Sequence, residues 1–250
     1  MTTAKTKVEA QFGAVAENYR TSTVHAGGPD LAAMARAVRE YGLPRVLDAG
    51  CGGGHAAAAA APFAREVVAV DMTAAMVEQT RILAAERGLA NLTAQQADVE
   101  ALPFADGAFD LVISRYSAHH WADPLAGLRE CLRVSGRCGM LLADAMGFEQ
   151  PGVDTFFQAI ELLRDPSHVR DYSIPQWRAM AETLGARVTV LGSWKTVLDF
   201  DAWVARIGTP PRKVAMLRDL LAEAGDEVRA ALDIRPESFS LVTALLAITR

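Results

Sequence analysis

The amino-acid sequence predicts an α/β protein with a doubly wound, mostly parallel sheet that carries helices on both faces. Apolar runs typical of buried strands alternate with helical segments from residue 30 to residue 145. A glycine-rich turn, "GCGGGH", joins the first of these strands to a helix. The chain has 250 residues, of which 51% are hydrophobic and 22% charged, and this is enough for one large core.

Start and stop signals bound the elements of the first half of the chain. Asp30 is a candidate N-cap of the first helix, and Thr73 can cap a later helix that Gly88 ends. The alternation predicts right-handed crossovers and ligands at the carboxyl ends of the strands. The predicted elements are helices over 30–42, 55–64, 73–88 and 124–134 and strands over 45–50, 66–71, 92–98, 109–116 and 139–145.

The pattern changes after residue 145. The segment 146–185 contains a helix, a Pro-bounded loop and a second helix without an obvious strand, which predicts a C-terminal helical cap insertion. Two late strands are predicted over 186–200 and 237–250, with helical segments between them. We therefore expect a core with an N-terminal arm over 1–145, the cap over 146–185, and late elements that complete the sheet over 186–250.

Composition argues against several classes of function. The net charge of −5 and a pI near 5.6 disfavour nucleic acid as a partner. The first residues lack the apolar core of a secretory signal, and no apolar run approaches the roughly 20 residues that span a bilayer. Cys51, Cys131 and Cys138 form no CxxC pair, so we expect structural thiols in a cytoplasmic protein. The sequence leaves open whether the protein forms a homodimer.

The glycine-rich turn does not fit a dinucleotide site. That fingerprint requires a glycine where this chain has His55. The carboxylate of Asp48 precedes the turn and would disfavour a pyrophosphate. Asp48 with Gly50, Gly52 and Gly54 has the D-x-G-x-G-x-G spacing of motif I in class I methyltransferases.

Later segments strengthen this resemblance. "VVAVDMTAAMV" and "QQADVEALPFADGAFDLVISRYSAHHW" follow the turn in the order typical of that family. From about Gln11 to Asp144 the chain resembles the ubiquinone/menaquinone-biosynthesis-like (methyltransferase type 11) branch of the class I S-adenosylmethionine-dependent methyltransferases. The resemblance implies a Rossmann-like fold and S-adenosyl-L-methionine as the cofactor.

The resemblance also implies roles for single residues. It assigns Asp71 to the ribose hydroxyls, Met72 to the adenine face, Asp98 to the adenine amino group and the Val99 amide to a ring nitrogen. It further implies that the N-terminal arm folds over the cofactor, with Tyr19 near the methionine portion. The full set implied to bind the cofactor is Tyr19, Asp48, Gly50, Cys51, Gly52, Gly54, Asp71, Met72, Met76, Asp98, Val99, Ser114 and Arg115.

Methyl transfer from a sulfonium is an in-line displacement, so its main requirement is alignment in a dry pocket. His119 and His120 follow the fourth strand and are the candidate catalytic residues. Two roles stay open for them: one of the two removes a proton from the acceptor, or both only shape the pocket. No carboxylate follows them to bind Mg²⁺, so we expect a metal-independent reaction. The candidate acceptor-binding residues are Tyr116, Trp121, Phe156, Phe157, Tyr172 and Trp177.

The sequence therefore predicts an S-adenosylmethionine-dependent methyltransferase that acts on a small aromatic or isoprenoid molecule. Two alternatives stay open. A nicotinamide-dependent oxidoreductase would share the fold class but is disfavoured by Asp48 and His55. A non-catalytic S-adenosylmethionine-binding protein would keep the cofactor site without turnover.

Overall fold

Seven strands form one sheet in the computed structural model, which describes residues 4–20, 26–42 and 44–250. The strands are β1 (Arg45–Ala49), β2 (Glu66–Asp71), β3 (Leu92–Gln96), β4 (Leu111–Arg115), β5 (Met140–Ala145), β6 (Arg187–Asp199) and β7 (Ser238–Thr249). Their order is β3-β2-β1-β4-β5-β7-β6. The first five strands are parallel, and β7 pairs antiparallel with both β5 and β6. The predicted fold class is confirmed.

Helices flank this sheet and cover its carboxyl edge. Within the described residues, none is both long and apolar enough to cross a membrane. The helices are α1 (Ala4–Arg20), α2 (Pro29–Glu40), α3 (His55–Ala60), α4 (Ala74–Glu86), α5 (Pro124–Val134), α6 (Pro151–Arg164), α7 (Ile174–Thr183), α8 (Phe200–Arg206), α9 (Pro211–Ala222) and α10 (Asp226–Leu232).

The two faces of the sheet bury different helices. Leu128 of α5 and Trp177 of α7 belong to the core on one face. Met34 of α2, Ala57 of α3 and Leu83 of α4 belong to the core on the other. Alanine is both a strong helix former and small, so α3 can pack close to the strands.

The order of the strands in the sheet indicates where the ligand crevice lies. The strand order reverses between β1 and β4, and open parallel sheets bind ligands beyond the carboxyl ends of their strands at such a point. The glycine-rich turn follows β1 directly, so it lies at this switch point.

Two predicted caps differ from the structure. Asp30 is not an N-cap, because Gly28 occupies that position and Asp30 lies in the first turn of α2. Its buried carboxylate instead accepts a hydrogen bond from Arg115 Nε at 2.6 Å, a charge-assisted bond stronger than a cap. Thr73 does occupy the N-cap position of α4, but its side chain makes no capping bond.

The described part of the N-terminal arm is a helix, for which no secondary structure was predicted. Val8, Phe12 and Ala16 of α1 lie on one face and pack against Met76 and Ile207. Residues 21–25, the later part of the predicted arm, lie outside the described residues. The short helix α10 was also not predicted.

Candidate functional site

Backbone geometry at the glycine-rich turn explains why glycine is needed there. Gly50, Gly52 and Gly54 all have positive φ, at 76°, 51° and 85°. The Gly50 and Cys51 amides both donate to the Val70 carbonyl at 2.9 Å, which ties the turn to β2. The turn therefore holds a fixed shape at the end of β1.

Asp48 lies beneath this turn with no exposed surface. Its Oδ2 accepts a hydrogen bond from the Ala57 amide at 2.9 Å, while its Oδ1 has no partner among the described residues. Burial raises the pKa of Asp48 to about 7. Asp48 thus connects β1 to α3, and one of its oxygens is left without a hydrogen bond.

Asp71 ends β2 on the other side of the turn. Its carboxylate accepts hydrogen bonds from the Gly52 amide at 3.0 Å and the Thr73 amide at 2.9 Å. Burial raises the pKa of this carboxyl group, and the two amides oppose the shift. The turn therefore presents an acidic group to the adjoining cavity.

A first cavity opens beside the turn. Ten of the residues predicted to bind the cofactor line it: Tyr19, Gly50, Cys51, Gly52, Asp71, Met72, Met76, Asp98, Val99 and Arg115.

Three of the predicted cofactor residues do not line the cavity. Asp48 lies behind the turn, and Gly54 packs so close to Thr80 that a β-carbon would lie 2.9 Å from its side chain. The Ser114 hydroxyl donates to the Ala49 carbonyl at 2.7 Å within the sheet. These three residues can contribute to the site only through the backbone that they support.

Helix α1 closes the first cavity with Tyr19, which was predicted, and with Lys5, Val8 and Phe12, which were not. Lys5 Nζ lies 2.5 Å from Asp98 Oδ2 and 2.7 Å from Glu100 Oε2. At the other end of the helix, His55 Nε2 lies 3.0 Å from the Tyr19 carbonyl oxygen. The helical spacing of the apolar residues in α1 was the signal in the sequence that could have indicated its contact with the cavity. In this structure Asp98, implied to bind the adenine amino group, pairs with Lys5.

A second cavity adjoins the first. Phe12, Tyr19, Tyr116 and His120 line both. Tyr116 follows β4 with a φ of 51°, a conformation rare outside glycine and frequent at functional sites. The other residues of the second cavity are His119, Ala145, Glu161, Arg164, Asp165, Asp171, Thr196, Leu198, Trp203, Arg206 and Leu241.

The two candidate catalytic histidines have opposite charge states. Burial opposes protonation of His119, but Asp144 Oδ1, 2.7 Å from its Nδ1, raises the pKa of His119 to about 9. Burial and the neighbouring His119 charge lower the pKa of His120 to about 4. Their ring centroids lie 4.2 Å apart. At neutral pH a charged ring therefore lies beside an uncharged one.

His119, Asp144 and Asp171 form a cluster that the sequence did not reveal, because they lie in three separate segments. One ligand atom from each lies within 4.8 Å of the others, a spacing that could hold a metal ion. A hydrogen bond already joins His119 to Asp144 without an ion, whereas Asp171 Oδ1 lies 3.9 Å from His119 Nδ1.

Most of the aromatic residues predicted to bind the acceptor lie in the core instead. Tyr116 lines both cavities and Trp121 lines the first. Phe157 is fully buried in the cluster formed by the cap and late elements, and Phe156 packs against that cluster. Tyr172 and Trp177 pack edge to face, with centroids 5.5 Å apart, against the sheet. Helical spacing alone could not separate these positions from the cavity wall.

Comparisons with known proteins agree with this geometry. A family model described as a methyltransferase domain matches residues 47–143. The chain is 37% identical to the uncharacterized methyltransferase YcgJ of Bacillus subtilis, over 95% of this chain and 97% of that protein. The crystal structure of YcgJ matches with a TM-score of 0.83 and 34% identity, over 88% of this chain and 98% of that one.

Two further relatives extend the comparison. The uncharacterized protein YafE of Escherichia coli is 41% identical over 69% of this chain and 84% of its own length. The ubiquinone/menaquinone biosynthesis C-methyltransferase UbiE of Citrifermentans bemidjiense is 30% identical, over 60% of this chain and 66% of that protein.

Proposed function

Because this chain belongs to the S-adenosylmethionine-dependent methyltransferases, we propose that it methylates a small molecule by in-line displacement without a metal ion. The observation that carries the proposal is the shared wall of the two cavities. Phe12, Tyr19, Tyr116 and His120 line both, so ligands in the two cavities would meet there. Alignment of this kind is the main requirement of methyl transfer.

The residues of the first cavity fit the cofactor. When bound, S-adenosylmethionine supplies an electrophilic methyl group on a positively charged sulfur. The carboxylate of Asp71 on the wall suits a cationic ligand that lacks a pyrophosphate, and buried Asp48 supports the turn from behind. Asp71 would accept hydrogen bonds from the ribose hydroxyls, while the turn would border the methionine end.

The two histidines serve the acceptor by position and charge. His119 already carries a proton at neutral pH, and the low pKa of His120 makes it a weak base. We therefore assign them to shaping and orienting the acceptor cavity. The rings of Phe12, Tyr116 and Trp203 supply apolar wall for the acceptor in that cavity.

Release of S-adenosylhomocysteine with a panel of small phenols, amines and activated carbon acids tests the proposal. We expect turnover with at least one class, and no loss of rate when EDTA is added. Loss with EDTA would contradict the metal-free reaction. Tight cofactor binding without any turnover would favour a non-catalytic binding protein.

Asp71→Ala tests the cofactor assignment. Hydrogen bonds to charged groups are worth about 1.5 to 3 kcal/mol, so the dissociation constant for S-adenosylmethionine should rise by roughly tenfold to a hundredfold in calorimetry. Asp71→Asn is the matched control, because its amide oxygen can still accept from Gly52 or Thr73. We expect the Asn variant to lose less affinity, while an unchanged constant in Asp71→Ala would remove Asp71 from the site.

A further inference from the structure

Asp171 differs from the other acidic residues that line the second cavity. Asp165 accepts hydrogen bonds from the amide and the hydroxyl of Ser167, at 2.8 and 2.6 Å. Glu161 pairs with Arg164 at 3.3 Å. The carboxyl group of Asp171 forms no hydrogen bond with any described residue, although the residue is only 2% exposed.

The nearest nitrogen atoms are already engaged. His119 Nδ1 lies 3.9 Å from Asp171 Oδ1 but bonds to Asp144. His168 Nε2 lies 3.8 Å from Asp171 Oδ2 but lies 3.1 Å from the Gln158 oxygen. Buried polar groups in native proteins are normally hydrogen-bonded, so an exception on a cavity wall indicates a partner that enters the cavity.

His119 supplies the complementary group. Its charged ring has a proton on each nitrogen, and only Nδ1 is used, in the bond to Asp144. Nε2 makes no hydrogen bond within the described part of the chain. The second cavity is therefore lined by one residue with a spare donor and, beside it, one with a spare acceptor.

We propose that Asp171 and His119 form the site that binds a hydroxyl group of the acceptor, which makes the substrate a hydroxylated small molecule. A hydroxyl group donates one hydrogen bond and accepts others, so it has the hydrogen-bonding capacity that both a carboxyl oxygen and a ring N–H require. The buried carboxyl group is also the chief determinant of specificity, because an analogue without the hydroxyl leaves it unpaired. This inference rests on the proposed function, which assigns the second cavity to the acceptor.

Phenol and toluene are matched probes for this site, since they differ only in a hydroxyl and a methyl group. Aromatic probes suit the cavity because Phe12, Tyr116 and Trp203 line it. Binding is measured by calorimetry on the full chain saturated with S-adenosylhomocysteine, which keeps the probes out of the first cavity. We expect phenol to bind about tenfold tighter than toluene.

Asp171→Leu should abolish that preference, with no change in cofactor affinity. Thr196→Val is the control in the same cavity, because the Thr196 hydroxyl is already bonded to the Thr243 hydroxyl at 3.0 Å. The control should keep the preference. If the Leu variant does not fold, Asp171→Asn replaces it, and weaker phenol binding with unchanged toluene binding is expected.

A crystal structure of the phenol complex should show the hydroxyl within hydrogen-bonding distance of Asp171. Phenol that does not bind, that binds no tighter than toluene, or that keeps its preference in Asp171→Leu overturns the inference. If any of these results is obtained with a protein that still binds S-adenosylmethionine, it does not contradict the proposed function. Failure to bind the cofactor would count against the proposed function instead.

Discussion

At position 50 a single hydrogen atom decides how closely two walls of the first cavity approach. A β-carbon on Gly50 would lie 1.9 Å from Ser117 Oγ, and the residue has a φ of 76°. Ser117 Oγ in turn accepts a hydrogen bond from Trp121 Nε1 at 3.2 Å. Glycine is therefore required both by the backbone conformation and by the contact between the segments that follow β1 and β4.

Gly50→Ala should lower the free energy of unfolding by about 2 to 5 kcal/mol, because overpacking adds to the strain of a left-handed residue. Gly88→Ala is the control, since Gly88 has a φ of 64° but no atom within 4 Å of the added β-carbon. It should cost only about 1 to 2 kcal/mol. Denaturant unfolding measures both, and equal losses would mean that the Ser117 contact is unimportant.

At the scale of elements, the loop between α6 and α7 is joined to the residues that follow β4. The Val169 and Arg170 amides both donate to the His119 carbonyl, at 2.8 and 3.1 Å. The His119 ring also binds Asp144 of β5. The second cavity therefore depends on contacts among three elements that are distant in sequence. The division of the chain into a core, a cap and late elements at residues 145 and 185 stays a prediction.

The pair formed by His119 and Asp144 predicts a pH dependence of stability. The pKa of His119 rises from 6.5 to about 9 on folding, so its contribution is complete below pH 6.5 and is lost as pH rises through 9. The contribution is on the order of 3 kcal/mol. Unfolding of the wild type and of His119→Gln should therefore differ most near pH 6 and converge above pH 9.

The neighbouring histidines have the opposite effect on how stability depends on pH. Burial lowers the pKa of His120 and of His168, so both stay uncharged in the folded chain and oppose folding as pH falls below 6.5. The charge on His119 contributes to both lowered pKa values, so the difference between the wild type and His119→Gln reports His119 together with its effect on these two residues. A difference that grows with pH would contradict the assigned charge state.

At the scale of the whole molecule, the first cavity joins elements from across the first 121 residues of the chain. Its lining comes from α1, the turn after β1, the ends of β2 and β4, and the segment after β3. A ligand there would bind only when these elements are assembled. Cofactor binding should therefore stabilise the complete fold by mass action.

S-adenosylmethionine at a hundred times its dissociation constant should add about 2.7 kcal/mol of stability. For a chain of this size, that raises the melting temperature by roughly 5 to 10 °C. NAD⁺ at the same concentration should leave it unchanged, because Asp71 and Asp48 flank the turn where a pyrophosphate would lie. Stabilisation by NAD⁺ alone would revive the oxidoreductase alternative.

The sequence by itself determined the parallel half of the sheet and the place of the first cavity. Buried strands and helices have distinct apolar periods, and the positive φ values of the turn after β1 require glycine. Asp71 ends β2, so its position at the carboxyl edge could be predicted from chain order alone. These features depend on residues that are near one another in sequence.

Only the tertiary structure decided the second cavity. β7 inserts antiparallel between β5 and β6, a pairing that no local pattern specifies. The core and the cavity wall both use aromatic side chains, so Phe157 and Trp177 could not be told apart from Tyr116 by residue type. Asp171 and His119 meet because loops from distant parts of the chain pack together; burial then raises the pKa of Asp171, while Asp144 raises that of His119 against the effect of burial.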